Sequence, residues 1–143
     1  MILIQRMLSD TPLRPVEEQV ELLVERRLFL KRRWRGIAAD GTEFGFDLES
    51  RLKHGGVIHQ TESAEYIVRQ QPELVYQLRP GSLEEAALMG WKIGNLHLGV
   101  QVLDSLIRIT HDVAVLQLFE REGWAYEEIE VVFNPLRVTA HAS

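Results

Sequence analysis

SLEEAALMGWKIGNLHLGVQVLDSLIRITHDV, residues 82–113, is the stretch whose reading decides the fold. Ser82-Leu83-Glu84-Glu85 is a capping box, in which a hydroxyl and a carboxylate three residues apart serve the unpaired N–H groups that open a helix. Behind it Leu83, Ala86, Ala87, Gly90, Trp91 and Gly94 recur at the spacing of one helical face. Gly94-Asn95 ends the run with residues that tolerate left-handed backbone angles. Leu98, Val100 and Val102 then alternate as in a strand, Asp104-Ser105 supplies a tight turn, and Ile107 and Ile109 alternate with Arg108 on the way back. Asp112 is placed to cap a second helix, with Val113, Leu116 and Phe119 at helical spacing and Gly123 closing it.

Working outward, residues 74–78 read as a strand before the first helix. Ile129, Val131 and Phe133 alternate with Glu128 and Glu130 after the second, and Asn134-Pro135 stops them. The order β-α-β-β-α-β is the ferredoxin-like arrangement. Before Gln71-Pro72 the pattern is different. Residues 1–7, 20–24, 57–59 and 66–68 are short β-rich or apolar runs, Asp40-Gly41 sits between residues 27–35 and 42–48 as a hairpin turn, and His54-Gly55-Gly56 is another break. The expected fold is therefore α+β, with a small all-β domain over residues 1–73 and a ferredoxin-like domain with a short tail over residues 74–143.

Composition narrows the function. The chain has 143 residues, 45% hydrophobic and 26% charged, which is ordinary for a folded protein and too apolar for wholesale disorder. No run approaches the roughly 20 apolar residues of a membrane helix, and the opening MILIQRMLSD lacks the pattern of a secretion signal, so a cytoplasmic protein is expected. With no cysteine, thiolate metal sites, disulfides and cysteine nucleophiles are excluded, and any metal must be held by nitrogen and oxygen. A net charge of −5 argues against broad nucleic-acid binding. Arg26, Arg27, Lys31, Arg32, Arg33 and Arg35 nevertheless crowd around Phe29 and Trp34. Both a solvated strand face and a docking strip for a peptide or single-stranded nucleic acid fit that run.

The histidines carry the metal chemistry. With a two-residue turn at Asp104-Ser105, facing residues have numbers that sum to 209. His97 then falls opposite Asp112, and His111 opposite Leu98, at one end of the sheet. Two imidazoles and a carboxylate at one loop end suit nickel, zinc or copper. Exposed loop histidines with no metal role give the same spacing. One chain offers too few ligands for a closed shell, whereas two copies of His97 on a two-fold axis share one ion, and His141 from either tail can add to it. For His141 simple disorder near the terminus is the other reading. His54 and His59 read as structural or surface residues. No activated serine or phosphate-cradling loop accompanies His97 or His111, so a hydrolase ranks last and no enzyme is expected.

The run Gly90-Trp91-Lys92-Ile93-Gly94-Asn95-Leu96-His97 resembles the G-W-x-(I/L)-G-N-x-H motif of the urease accessory protein UreE family. Val100-Gln101, His111-Asp112, Gly123 and Phe133-Asn134-Pro135 are similar to the family as well. So, more loosely, are residues 26–35 and Asp40-Gly41-Thr42-Glu43. The resemblance implies a peptide-binding-like β-domain followed by a ferredoxin-like metal-binding domain, in a head-to-head homodimer. It implies that His97 of each protomer binds Ni(II) at the dimer interface; on ligand type alone Zn(II) or Cu(II) can compete. His111 matches a secondary metal position, and the implied partners are the accessory GTPase and apo-urease; the auxiliary-ligand role of Asp112 comes from its placement beside the two histidines. Two positions depart from the pattern. Val113 stands where some members have a further histidine, so a weak or absent secondary site is expected. Val138-Thr139-Ala140-His141-Ala142-Ser143 stands where many have a long His-rich tail, so one or a few ions per dimer are expected.

Overall fold

The computed structural model describes residues 1–136, and the chain divides into two units, the first Met1–Gln71 and the second beginning at Pro72. The first unit is built on six strands: β1 (Ile2–Ile4), β2 (Gln19–Val24), β3 (Arg33–Ile37), β4 (Glu43–Asp47), β5 (Gly56–Gln60) and β6 (Glu65–Gln70). They form two sheets, ordered β1-β4-β3 and β2-β6-β5. In each sheet the central strand has one parallel and one antiparallel neighbour. Phe44 and Phe46 of β4 pack with Leu22, Val24, Tyr66 and Val68 of the other sheet in one core, and Trp34 stacks on its cross-strand partner Phe46 at 3.9 Å.

The Asp40-Gly41 turn forms as the sequence implies. Gly41 takes φ +89°, Asp40 Oδ1 accepts from the Thr42 N–H at 3.0 Å, and Ile37 pairs with Glu43 beyond it. The strand expected over residues 27–35 is cut short, because Arg26–Leu30 is a 3₁₀ turn. Strict alternation would have put Lys31 and Arg33 on the same face as Phe29. The turn lets Phe29 reach the core while the cations stay in water.

Glu65 is the unit's fully buried carboxylate. A charge can be buried only if it is satisfied, and Glu65 accepts from the backbone N–H groups of Leu13 and Arg14 and from Gln60 Nε2, at 3.1 to 3.3 Å. It pins the irregular segment before β2 to the start of β6.

The second unit contains β7 (Glu73–Leu78), α1 (Leu83–Gly94), β8 (Val100–Leu103), β9 (Leu106–Thr110), α2 (Val113–Glu122) and β10 (Glu127–Val131). Its sheet is antiparallel throughout and ordered β10-β7-β9-β8. Asp104 and Ser105 both have positive φ, 44° and 62°, the requirement of a two-residue type I′ hairpin. Val102 accordingly faces Ile107 and Val100 faces Ile109, in the register read from the sequence. Tyr76, Leu78, Ile107 and Ile109 meet both helices in one core. Past β10, Phe133 is buried, the Asn134 N–H donates to Gln101 Oε1 at 3.2 Å, and the Leu136 N–H donates to the Val100 carbonyl at 2.7 Å. The chain thus leaves one edge of the sheet and arrives at the other. Among the described residues, no helix is long and apolar enough to cross a membrane.

Helix α1 turns a different face inward from the one expected, whereas on α2 two of the three expected positions hold, Phe119 in the core and Leu116 packed against it. On α1 the core residues are Met89 and Ile93, while Leu83 is 87% and Trp91 66% exposed, with Ala87, Gly90 and Gly94 beside them in solvent. On α2 the core residues are Val115, Leu118 and Phe119, and Val113 is exposed. Periodicity allows either stripe on each helix. Packing against the sheet decides between them, and on α1 it leaves the largest side chain, Trp91, outside.

A hydrogen-bonded pair in the first unit gives a test. Tyr66 Oη donates to Asp40 Oδ2 at 2.6 Å. That bond, with help from the Thr42 N–H, holds the Asp40 carboxyl below its ordinary 3.8, and the same bond to Asp40 raises the Tyr66 hydroxyl. The Asp40 contribution to stability is complete above the ordinary carboxylate value and is lost as pH falls through the lowered one. The Tyr66 contribution is complete below the ordinary phenol value and is lost as pH rises through the raised one. Tyr66→Phe should cost about 1 kcal/mol at neutral pH. In urea denaturation the gap between wild type and variant should narrow in acid below the depressed Asp40 value, the bond of the Tyr66 hydroxyl to Thr42 Oγ1 at 3.2 Å being unaffected by pH there; a gap unchanged in acid would remove Asp40 from the account.

Candidate metal centre

The end of α1 positions His97. Ser82 Oγ accepts from the Glu85 N–H at 3.1 Å and Glu85 Oε1 accepts from the Gly81 N–H at 3.0 Å, so the capping box fixes where the helix starts. Twelve residues later the helix tightens instead of stopping. Leu96 N–H donates to the Ile93 carbonyl and His97 N–H to the Gly94 carbonyl, at 3.0 and 3.2 Å, both three-residue steps. The expected left-handed stop at Gly94-Asn95 is not there, since Asn95 is right-handed at φ −70°, ψ −15°. The left-handed residue is His97 itself, at φ +55°, with its side chain in solvent. A non-glycine residue here carries about 1–2 kcal/mol of strain, and histidine is among the side chains that bear it best. Lys92 pairs with Glu122, tying the last turn of α1 to the end of α2.

The strand ladder does not extend as far as His97. It ends where the Thr110 N–H donates to the Gly99 carbonyl at 3.1 Å, and Thr110 Oγ1 bonds the same oxygen. His97 therefore does not face Asp112 across a strand pair, contrary to the register argument. It lies two residues before that last bond and His111 one residue after it, at the same end of the sheet. Asp112 is committed as the cap of α2, its Oδ1 accepting from the Ala114 N–H at 2.8 Å. His111 lies flat on Tyr76, ring centroids 4.4 Å apart, with its Nε2 3.5 Å from Glu128 Oε1. Burial first, and then the Glu128 charge, pushes the Tyr76 hydroxyl up. Sequence reasoning missed Glu128 as the neighbour of His111, although the β10 register, which sets Glu128 opposite Tyr76, carries that signal.

Among the described residues, no three histidine, aspartate or glutamate side chains gather in a way that could hold a metal. His141 lies outside the described residues. In the first unit, His54 Nδ1 accepts from the Gln70 N–H at 2.8 Å, and His59 packs against Phe44 and Tyr66. The single chain thus presents one exposed imidazole on a strained turn and a second imidazole held between a phenol and a carboxylate.

The family model described as UreE urease accessory protein, C-terminal domain, matches residues 73–143. A urease accessory protein UreE of Pseudomonas putida is 30% identical over 138 residues, covering 94% of this chain and 81% of its own length. The chain belongs to the UreE family. Other UreE relatives are 28% identical in Bacillus cereus, over 85% of this chain and 82% of that protein, and 30% identical in Bifidobacterium longum subsp. infantis, over 78% of this chain. This chain spans only about half, 51%, of the Bifidobacterium protein's length. Family membership makes this UreE chain a urease accessory protein, and His97, His111, Asp112 and His141 all fall within the matched region.

The left-handed turn predicts an order of stabilities. His97→Gly should be about 1 kcal/mol more stable than His97→Ala, because glycine takes φ +55° without the Cβ clash. Thermal or urea denaturation measures the difference, and equal stabilities would mean that the backbone at 97 is not held left-handed.

Proposed function

We propose that this UreE protein is a cytoplasmic nickel metallochaperone. It binds Ni(II) between the two His97 imidazoles of a homodimer and delivers the ion for assembly of the urease metallocentre, with the accessory GTPase and apo-urease as its partners. The observation that carries this reading is the placement of His97: exposed, on a strained turn, directly after the helix whose outward face is Leu83, Ala87, Gly90, Trp91 and Gly94. An apolar and small-residue face of that kind is what a second copy would cover, and a two-fold axis at its end would bring the two imidazoles together. Sharing one ion between protomers accounts for the missing ligands of the single chain. Nickel is cargo here, and an open site with few protein ligands suits release.

The sheet order β10-β7-β9-β8 with both helices on one face supports reading the second unit as ferredoxin-like, and the two packed sheets support a peptide-binding-like first unit. His111 is the candidate for the secondary metal position, with Asp112 reduced to an auxiliary by its capping bond. His141 follows the Leu136 anchor by five residues, a reach of about 17 Å. That is ample for a tail ligand to join an ion beside His97. Zn(II) or Cu(II) would compete on ligand type alone, since nitrogen sites rank copper above nickel.

Two measurements test the proposal. Nickel titration calorimetry on wild type should give about one tight ion per dimer, and His97→Ala should lose it while light scattering still reports a dimer; identical isotherms would move the metal elsewhere. Trp91→Glu, a charge on the outward face of α1, should shift the mass toward monomer and abolish the tight site. A Trp91→Glu protein that remains dimeric with full nickel binding would remove this face from the interface.

A further inference from the structure

The basic run of the first unit is not a uniform solvated strip. The 3₁₀ turn at Arg26–Leu30 and the pairing of Leu48 N–H with the Arg32 carbonyl at 2.9 Å leave a cleft of about 200 Å³ between residues 29–32 and 48–51. Phe29 and Leu48, both buried, form its apolar floor, and Leu30, 57% exposed, forms part of the rim. The remaining rim is charged. Asp47 Oδ1 is shared by Arg32 Nε at 3.1 Å and Arg33 Nε at 3.4 Å, and Arg6 lies 3.9 Å from Glu49. Lys31 and Arg51 form no ion pair among the described residues. Lys31, Arg32 and Arg51 thus line the cleft with a single carboxylate, Glu49, in a chain whose net charge is −5. A local excess of positive charge on an acidic protein, placed around an apolar floor, is a feature to be matched by a ligand.

The cleft's size and chemistry select that ligand. At about 200 Å³ it is below the roughly 300–1,000 Å³ of small-molecule pockets, but it has room for a single side chain. Nucleic acid fits it poorly. Phe29 is buried, and Trp34 is half-buried, has one face stacked on Phe46 and does not line the cleft, so the cleft presents no aromatic platform for a base. We propose that this cleft is a docking site for an acidic segment of another protein. One aliphatic side chain of that segment inserts onto Phe29 and Leu48, and its carboxylates lie against Lys31, Arg32 and Arg51. The charges steer and orient the segment, and the apolar floor sets how long it stays. The inference rests on the first unit alone and is independent of the metal reading.

The probe is a fluorescein-labelled heptapeptide of aspartate and glutamate around one central leucine, titrated with the full chain and followed by anisotropy at low salt. Binding is expected to weaken about tenfold in the Lys31→Glu, Arg51→Glu double variant and with increasing salt. It should also weaken severalfold when the central leucine is replaced by serine. These two residues are exposed, so the fold should survive, as circular dichroism will report; Leu30→Ser, with no charge altered, gives a second weakened variant. Failure of the wild-type chain to bind the peptide, or equal binding by both variants, overturns the proposal. So does a single-stranded RNA decamer that binds more tightly than the peptide with the same dependence on Lys31 and Arg51, because it reassigns the cleft to nucleic acid.

Discussion

The two left-handed residues of the Asp104-Ser105 turn set the register on which the sheet and core of the second unit depend. A two-residue turn with both φ values positive matches the natural twist of a hairpin and allows one register. That register sends Ile107 and Ile109 to the helix side and Arg108 to the other, where it reaches Gln77 at 2.9 Å. A slip of one residue would exchange the two faces and put a guanidinium into the core. The same register brings Gly99 to Thr110, so that the residues on either side of that bond, His97 and His111 among them, emerge at one end of the sheet.

Helix α1 serves two surfaces with one sequence. Met89 and Ile93 fill the core, and the opposite stripe of Leu83, Ala87, Gly90, Trp91 and Gly94 stays in water. Small residues at Gly90 and Gly94 leave nothing within 4 Å of where a side chain would begin, so the backbone there is open to close approach. A helix with apolar residues on two sides is informative because the core needs only one. The strain at His97 belongs with this surface. The helix ends through a histidine where glycine would be easier, so the imidazole holds its place at a cost to the fold.

What could be read from the sequence followed how local its cause was. The caps at Ser82 and Asp112, the Gly123 stop at φ +71° and the turns at Asp40-Gly41 and Asp104-Ser105 are set by side chains within a few residues, and all formed where the residues predicted them. The inward face of α1 was not legible, because two stripes satisfy the same period and only burial against the sheet decides, while on α2 Leu116 and Phe119 were read and Val115 and Leu118 were not. Glu65 gave no sign of itself, since its partners at Leu13 and Arg14 are some fifty positions away. The opposition of His97 and Asp112 failed for a related reason. The pairing arithmetic is sound for the strand, but the extra turn after α1 takes His97 off the strand before the count reaches it.

The crossing of residues 132–136 from β10 to β8 also shapes how this unit can meet others. A sheet with open edges invites a foreign strand, and folded proteins blunt those edges with charge, brevity or cover. Here one outer strand, β10, carries Glu127, Glu128 and Glu130. The other, β8, has four residues and lends the carbonyl of Val100 to Leu136. With both margins defended, backbone-to-backbone recruitment is disfavoured, whether by a stray unfolded chain or by a legitimate partner. Association is left to the side chains on the helical face and the loop end, which depend on shape and sequence. A protein that is recognised only through such side chains gains selectivity from having its least discriminating surface closed.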